Sequence, residues 1–196
     1  MIAATGAKLL AHHNARNTIA GIDIGLDAGD VITVGRSVEL LALDTPGHTM
    51  THICLLPKTD EPALFCGDTL FNAGVGNCHN GGHPQKMHET FATQLACLDD
   101  NTRIYPGHDY IGNNLKFTLN REPDNAVAKT LLTEVQHQDA ANALVTMIAQ
   151  EKEINTFFRL HSPSVIATLR KEFPDIGDQP DPETVFLKLR ELRDSW

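Results

Sequence analysis

Three stretches of this sequence place a metal-binding residue type directly after an apolar segment and a tight turn. They cover residues 40–49, 63–70 and 103–110, and the residues that could bind metal are His48, Asp68 and His108. A glycine precedes each of these residues, and glycine permits positive φ angles and close backbone approach at a strand end. If the three strand ends lie on one sheet edge, the three side chains meet. Two imidazoles and a carboxylate suit zinc or iron, and the carboxylate has two oxygens with which to bridge two ions.

A simpler interpretation is that these are ordinary turns. Pro-Gly and Cys-Gly are common in loops, and the polar residues beside them would then face water. For a single turn we would favour this interpretation. The same order of residues occurs three times, however, and this repetition favours a metal site.

Other histidines near these turns are harder to assign. His48 and His52 have the i, i+4 spacing that places two ligands on one face of a helix, but here the segment joins two predicted strands. We therefore expect His52 to support a ligand or to pack beside one. The glycine-rich segment 72–84 carries His79 and His83, which are either loop residues or substrate contacts.

The predicted elements change in character along the chain. Alternating and β-branched residues predict strands, which cover residues 18–26, 31–34, 38–43, 52–56 and 63–66. Helical periodicity and capping residues predict helices, which cover residues 84–98, 113–119, 125–137 and 140–154 (a pair or one kinked helix), with two more starting at Ser162-Pro163 and Asp181-Pro182. No strand is predicted after His108, so we expect a domain boundary near residue 110.

Composition excludes several classes of protein. The chain has 196 residues, of which 41% are hydrophobic and 21% charged, as in globular proteins. Its net charge of -9 argues against a nucleic-acid binder, which would need a basic surface. No segment is apolar enough to cross a bilayer and no leader opens the chain, so we expect a cytoplasmic protein without a membrane partner, and a monomer. The spacing of the four cysteines predicts buried free thiols.

The motifs around the three turns resemble a known family. Residues 45–49, 66–71 and 105–110 resemble the later metal-ligand motifs of the metallo-β-lactamase superfamily. The helical tail, with segments 155–159 and 189–194, is similar to that of hydroxyacylglutathione hydrolase, or glyoxalase II. The resemblance implies an α+β fold. A partial αββα sandwich would occupy residues 1–110, and a small all-α domain that binds glutathione would occupy residues 111–196.

The resemblance also implies an activity and a metal site. The family hydrolyses S-D-lactoylglutathione to glutathione and D-lactate, in methylglyoxal detoxification, at two divalent metals that are zinc, iron or manganese. By motif position His48 would bind the first metal and His108 the second, and Asp68 would be the catalytic residue that bridges them. A second set of residues is expected to contact the glutathione thioester. These are His108, Tyr110, Arg190, Arg193, Asn77 and His79.

One departure from the family is large. Its Thr-His-x-His-x-Asp-His motif, which supplies two ligands to each metal, is not found in this chain. Catalytic zinc usually has three protein ligands, so we expect weak metal occupancy, and also an uncovered apolar sheet edge. The alternative function is that of a truncated, catalytically impaired relative that at most binds glutathione conjugates. Another superfamily hydrolase or a glutathione-linked sulfur dioxygenase fits the helical tail less well.

Overall fold

The computed structural model describes residues 2–136, 138 and 143–196, and it combines strands in the first half with helices in the second. The strands are β1 (Leu10–His12), β2 (Ile24–Leu26), β3 (Val31–Val34), β4 (Val38–Asp44), β5 (Ile53–Pro57), β6 (Ala63–Gly67), β7 (Leu70–Phe71), β8 (Gly74–Val75) and β9 (Arg103–Pro106). The α-helices are α1 (Ile2–Thr5), α2 (Pro84–Thr93), α3 (Ile111–Arg121), α4 (Ala126–Val135), α5 (Ile148–Ile154), α6 (Pro163–Glu172) and α7 (Pro182–Asp194). This is the α+β class predicted from the sequence.

The main sheet has five strands in the order β3-β4-β5-β6-β9. The pairs β3–β4, β4–β5 and β5–β6 are antiparallel, whereas β6 and β9 are parallel. It follows that β4, β6 and β9 all run in the same direction, and that their carboxyl ends lie at one edge of the sheet. Two smaller sheets pair β1 with β2 and β7 with β8.

One hydrophobic core joins strands and helices from both halves of the chain. Leu64 and Ile104 of the sheet belong to the same buried cluster as Phe91 of α2 and Phe186 of α7. The rings of Phe91 and Phe186 meet edge to face, with centroids 5.5 Å apart. Helix α7, near the end of the sequence, is therefore held firmly against the sheet-containing half, and the predicted boundary near residue 110 stays a prediction.

Two predicted elements in the first half are shorter in the structure. The predicted strand 18–26 is wrong over most of its length, because only Ile24–Leu26 is a strand and the preceding residues form turns. The predicted helix 84–98 ends at Thr93 and is followed by a short 3₁₀ turn, Leu95–Cys97. Its apolar stripe is nevertheless buried at Met87 and Phe91.

The helices of the second half differ from prediction at their ends. Helix α3 extends the predicted 113–119 in both directions, and α4 is capped by the side chain of Asn125, which accepts a hydrogen bond from the backbone N–H of Ala128. The predicted helix 140–154 is wrong for residues 143–147, which are not helical, and Met147 forms an isolated bridge to Arg103 of β9. Residues 137 and 140–142 of these two predictions lie outside the described residues.

Burial of the cysteines only partly follows the prediction. All four are free thiols, as predicted. Cys54 and Cys66 are buried, whereas Cys78 is partly exposed and Cys97, in the 3₁₀ turn after α2, is exposed. Burial raises the pKa of Cys54 to about 11 and also raises the pKa of Cys66 well above its usual value. These two thiols therefore behave as small apolar side chains.

Apolar surface remains on the side of the sheet near β1 and β2. Val31 and Val34 of the edge strand β3 are exposed, in agreement with the expectation of an uncovered apolar edge. Both residues line an open cavity of about 510 Å³, together with residues such as Leu10 and Ile32. Among the described residues, no helix is both long and apolar enough to cross a membrane.

Candidate metal centre and adjoining pocket

The three predicted ligands come together at one edge of the main sheet. Asp68 follows the last residue of β6, and His108 lies just beyond the end of the parallel neighbour β9. His48 lies in the loop after β4, whose carboxyl end is at the same edge. The arrangement follows from strand direction, because parallel-running strands deliver their carboxyl ends to one side.

The Asp68 carboxylate lies between the two imidazoles and presents a different oxygen to each. Asp68 Oδ2 is 3.5 Å from His48 Nε2, and Asp68 Oδ1 is 3.4 Å from His108 Nε2. Both distances exceed those of ordinary hydrogen bonds. Two ligands of one tetrahedral zinc, with usual zinc–nitrogen and zinc–oxygen bonds, are about 3.4 Å apart. The separations therefore suit a carboxylate that bridges two ions, each of which also binds one histidine.

His48 is oriented by a backbone carbonyl. Its Nδ1–H donates a hydrogen bond of 2.7 Å to the carbonyl oxygen of Asn77. This contact fixes the neutral ring in the tautomer that carries hydrogen on Nδ1, so the lone pair is on Nε2, facing Asp68. The His48 side chain is 14% exposed, compared with 52% for His108.

His52 supports the carboxylate residue instead of joining it as a ligand. Its Nε2 accepts a hydrogen bond of 3.2 Å from the backbone N–H of Asp68. Its Nδ1 lies 3.0 Å from the Thr45 hydroxyl and 2.9 Å from the Thr69 hydroxyl. Burial, followed by the charge of His48, lowers the pKa of His52 to about 4, so the ring is neutral. Both ring nitrogens are engaged within the protein.

Glycines allow the backbone to approach this centre closely. A Cβ atom on Gly107 would lie 2.7 Å from Asp68 Oδ1, and one on Gly76 would lie 1.9 Å from the carbonyl oxygen of Asp68. Gly67 has a φ of +48°, and a Cβ there would lie 2.8 Å from His52 Nε2. The strand–glycine–ligand pattern of the sequence is thus a packing requirement of the site.

His108 is flanked by aromatic rings. Its ring stacks on that of Tyr110, with centroids 5.3 Å apart and an interplanar angle of 22°. Phe71 lies 6.0 Å from His108 and 5.2 Å from Tyr110, measured between ring centroids. Tyr110 is 47% exposed, so these rings form one wall of a surface pocket next to the candidate metal centre.

A small cavity of about 200 Å³ adjoins this wall, and five of the six predicted substrate contacts line it. Its lining consists of Phe71, Val75, Asn77, His79, Tyr110, Arg190, Arg193 and Asp194. The sixth, His108, stacks on the Tyr110 ring of this lining. The structure therefore brings the predicted substrate contacts to one place.

The charged side chains of the cavity differ in how freely they could meet a ligand. Arg190 is 4% exposed and donates hydrogen bonds to the carbonyls of Val75 and Gly76 and to Asp194. Burial lowers the pKa of this guanidinium. Arg193 is half-buried and donates to the Asn114 side chain, at 3.0 Å.

Asp194 is a residue that the sequence analysis missed. Its Oδ1 accepts from Arg190 at 2.8 Å and lies 3.2 Å from Nε2 of His79. The i, i+4 spacing from Arg190 on a helix is a pairing signal that was available in the sequence. Asp194 balances part of the positive charge of the cavity.

Comparisons with known proteins identify the chain. Residues 109–196 match the family model described as "Hydroxyacylglutathione hydrolase C-terminus". Over 196 residues the chain is 65% identical to the hydroxyacylglutathione hydrolase of Polaromonas sp., covering 100% of this chain and 74% of that protein. It belongs to the hydroxyacylglutathione hydrolase family. It is also 63% identical to the hydroxyacylglutathione hydrolase of Nitrosococcus oceani. That match again covers 100% of this chain and 74% of the other protein.

Solved structures place this family member in the metallo-β-lactamase fold. ETHE1 from Myxococcus xanthus superposes with a TM-score of 0.59 at 23% identity, covering 99% of this chain and 68% of that one. A metallo-β-lactamase from Staphylococcus aureus gives a TM-score of 0.57 at 20% identity, covering 97% of this chain and 52% of that one.

The fold and the family imply a dinuclear site for divalent metals, and the donor set present here fits part of it. Each ion would receive one imidazole and one oxygen of Asp68, at the ligand spacing given above. In the part of the chain that the structure describes, no three His, Cys, Asp or Glu side chains are placed to hold one ion. His48, Asp68 and His108 would thus provide two protein ligands for each ion.

Proposed function

We propose that this chain hydrolyses S-2-hydroxyacylglutathione thioesters, with S-D-lactoylglutathione as the substrate and glutathione and D-lactate as products. The observation that carries the proposal is the Asp68 carboxylate between His48 and His108, with one oxygen facing each ring. Family membership supports a thioester of glutathione as the substrate. We propose zinc as the metal, because imidazole and carboxylate ligands suit it.

The residues of the centre have separable roles. A bound pair of zinc ions would lower the pKa of a water molecule and polarise the thioester carbonyl. His48 and His108 each direct Nε2 toward the Asp68 carboxylate. The Asp68 carboxylate brings negative charge and sets the separation of the two imidazoles. His52 holds the Asp68 backbone through the hydrogen bond at its N–H.

The adjoining cavity supplies groups for the glutathione part of the substrate. Arg193 and His79 offer hydrogen-bond donors to a carboxylate, and the Arg193 fork suits two oxygens at once. The exposed Tyr110 hydroxyl offers a further hydrogen bond beside His108. We propose that these groups orient the peptide so that the thioester carbonyl faces the Asp68 edge. The helical half, residues 111–196, contributes Arg193 to this set, which supports a proposed role as the glutathione-binding domain.

The ligand count favours a second function, which is binding of glutathione conjugates with little turnover. Two protein ligands hold zinc less tightly than the three usual in catalytic sites. In that case the cavity would retain a conjugate while hydrolysis stayed slow. We propose weak metal occupancy of this chain for the same reason.

One pair of measurements separates the two functions. Hydrolysis of S-D-lactoylglutathione is followed by loss of thioester absorbance, with saturating zinc, for the parent and for Asp68→Asn. The proposed enzyme shows turnover in the parent that falls to background in the variant. Calorimetric binding of a non-hydrolysable S-alkylglutathione, without turnover at any zinc concentration, would instead establish the binding function.

A lactoyl thioester that lacks the glutathione carboxylates tests the substrate class. Because Arg193 and His79 would lose their partners, this compound should have a higher KM than S-D-lactoylglutathione. An equal KM for the two thioesters would contradict the assignment of glutathione.

A further inference from the structure

The two terminal nitrogens of Arg190 donate hydrogen bonds to the protein's own groups, whereas its buried Nε has no hydrogen-bond partner among the described residues. Its Nη1 donates to the carbonyl oxygens of Gly76 at 3.0 Å and Val75 at 3.3 Å. Its Nη2 donates to Asp194 at 2.8 Å, and its Cζ lies 5.8 Å from the Phe157 ring centroid. A buried guanidinium with these partners joins two segments of the chain that are 114 residues apart in sequence.

The segment that Arg190 holds in place is hydrogen-bonded to His48. The carbonyl oxygen of Asn77, the residue after Gly76, accepts the 2.7 Å hydrogen bond from His48 Nδ1. Gly76 itself leaves no room to move, since a Cβ there would lie 1.9 Å from the Asp68 carbonyl oxygen and 3.1 Å from His48 Nδ1. The position of this backbone therefore decides where the Nδ1 acceptor of His48 lies.

We propose that Arg190 is a positioning residue for His48, acting through the carbonyls of Val75 and Gly76 and then the carbonyl of Asn77. This inference rests on the proposed function in that it takes His48 as a metal ligand. It assigns to Arg190 a role different from direct contact with the substrate. Loss of the guanidinium releases residues 75–77, and His48 loses the acceptor that fixes its tautomer and ring angle.

Arg193 is a matched control for this role. It lies on the same helix and lines the same cavity, but it donates to Asn114 and makes none of the hydrogen bonds to residues 75–77 that Arg190 makes. Arg193→Met therefore removes a cation of the cavity without releasing the backbone behind His48. Arg190→Lys keeps a charge but replaces a planar fork, which reaches two carbonyls and a carboxylate, by a single ammonium.

The test uses the full chain without metal, so that it is independent of metal affinity and turnover. Nitrogen-15 NMR of the histidine rings at pH 8 reports the His48 tautomer. The parent and Arg193→Met should show one tautomer with hydrogen on Nδ1, and Arg190→Met should show a mixture. An unchanged His48 spectrum in Arg190→Met would overturn the proposal. If that variant does not fold, by circular dichroism, Arg190→Lys takes its place with the same expected results.

Metal affinity is the second measurement that tests the positioning role of Arg190. Competition with a chelator should show zinc binding weakened about tenfold in Arg190→Met at the ion that His48 binds, since groups that support ligands cost at least this much when removed. Arg193→Met should bind zinc as the parent does and change KM instead. Equal affinities for the parent and Arg190→Met would overturn the proposal. Absence of zinc binding in the parent would contradict the proposed function, while the NMR result still decides the positioning role.

Discussion

The backbone N–H of Asp68 donates a hydrogen bond to Nε2 of His52, so the residue that presents its carboxylate to two imidazoles is held from behind by a third. This third histidine is neutral, because burial and the nearby His48 lower its pKa to about 4. The histidines of the centre thus have two roles. His48 and His108 face the Asp68 carboxylate through Nε2, and His52 holds the backbone of Asp68.

Replacement of His52 tests this support. His52→Leu leaves the Asp68 N–H and the Thr69 hydroxyl without their partner, and an unsatisfied buried group costs about 1–3 kcal/mol. We expect this loss in the free energy of unfolding, measured by urea denaturation, and metal affinity lower by about tenfold or more. His161, which is exposed, provides the control His161→Gln with an unchanged midpoint. A stable His52→Leu with parental affinity would show that the contact is incidental.

Two glycines offer a matched test of close packing at the centre. Gly107→Ala places a methyl group 2.7 Å from Asp68 Oδ1, so the carboxylate has to move and metal binding should fall sharply. Gly112→Ala, in helix α3, meets no atom within 4 Å and should stabilise the fold by about 0.5–1 kcal/mol. Zinc titration and thermal unfolding of both variants measure these effects. Parental zinc affinity in Gly107→Ala would contradict the described position of Asp68.

Much of this centre could be predicted from the sequence because it depends on local order. Each proposed ligand follows a glycine at or shortly after the end of a strand, and strand direction then brings His48, Asp68 and His108 to one edge. The sequence predicts that His52 supports a ligand or packs beside one, but it does not identify the partners of His52. Its spacing from His48 has meaning on a helix, whereas its partners Thr45 and Thr69 are set by the sheet.

Contacts between distant segments could also not be predicted from the sequence. The sequence predicts Arg190 as a substrate contact, but it does not show that packing of α7 buries this side chain against Val75 and Gly76. Trp196 is 48% exposed and lies two residues beyond the end of α7 at Asp194. Such outcomes depend on how distant segments pack, which periodicity along one helix does not specify.

A buried carboxylate gives the stability of the fold a dependence on pH. Burial raises the pKa of Glu151 to about 7 from a usual value of 4.5, although Thr146, Asn155 and the Ala73 N–H donate hydrogen bonds to it. Between these values the native state holds a proton that the unfolded state has released. The free energy of unfolding should therefore fall as pH rises from about 4.5 to about 7, by about 3 kcal/mol.

The variant Glu151→Gln shows how much of the pH dependence of the free energy of unfolding comes from this residue. Urea unfolding at a series of pH values should show a flatter profile in the variant than in the parent between about pH 4.5 and 7. Identical slopes for the two proteins would mean that Glu151 ionises in the native state as it does in the unfolded chain.

A second buried carboxylate is paired instead of protonated. Glu122 is 3% exposed and accepts two hydrogen bonds from Arg159, at 2.6 and 2.7 Å. Although burial raises the pKa of Glu122, the hydrogen bonds from Arg159, Ser162 and Asn125 outweigh it and lower that pKa overall. Arg159→Met leaves this charge unpaired and should destabilise the fold by about 3–5 kcal/mol.

The surface pair Arg170–Asp178 is the control for that prediction. Both side chains are exposed, so Arg170→Met should change the free energy of unfolding by less than about 1 kcal/mol. Chemical denaturation of the two variants under identical conditions makes the comparison. Similar losses in both would argue against a special role for the Glu122 network.

Zinc stoichiometry in three single variants tests the central claim most directly. Equilibrium dialysis at fixed free zinc, followed by elemental analysis, compares the parent with His48→Ala, His108→Ala and Asp68→Ala. If Asp68 bridges two ions, the parent saturates at about two zinc per chain, each histidine variant retains about one, and Asp68→Ala retains almost none. Parental stoichiometry in Asp68→Ala, or no saturable binding by the parent, would contradict the account.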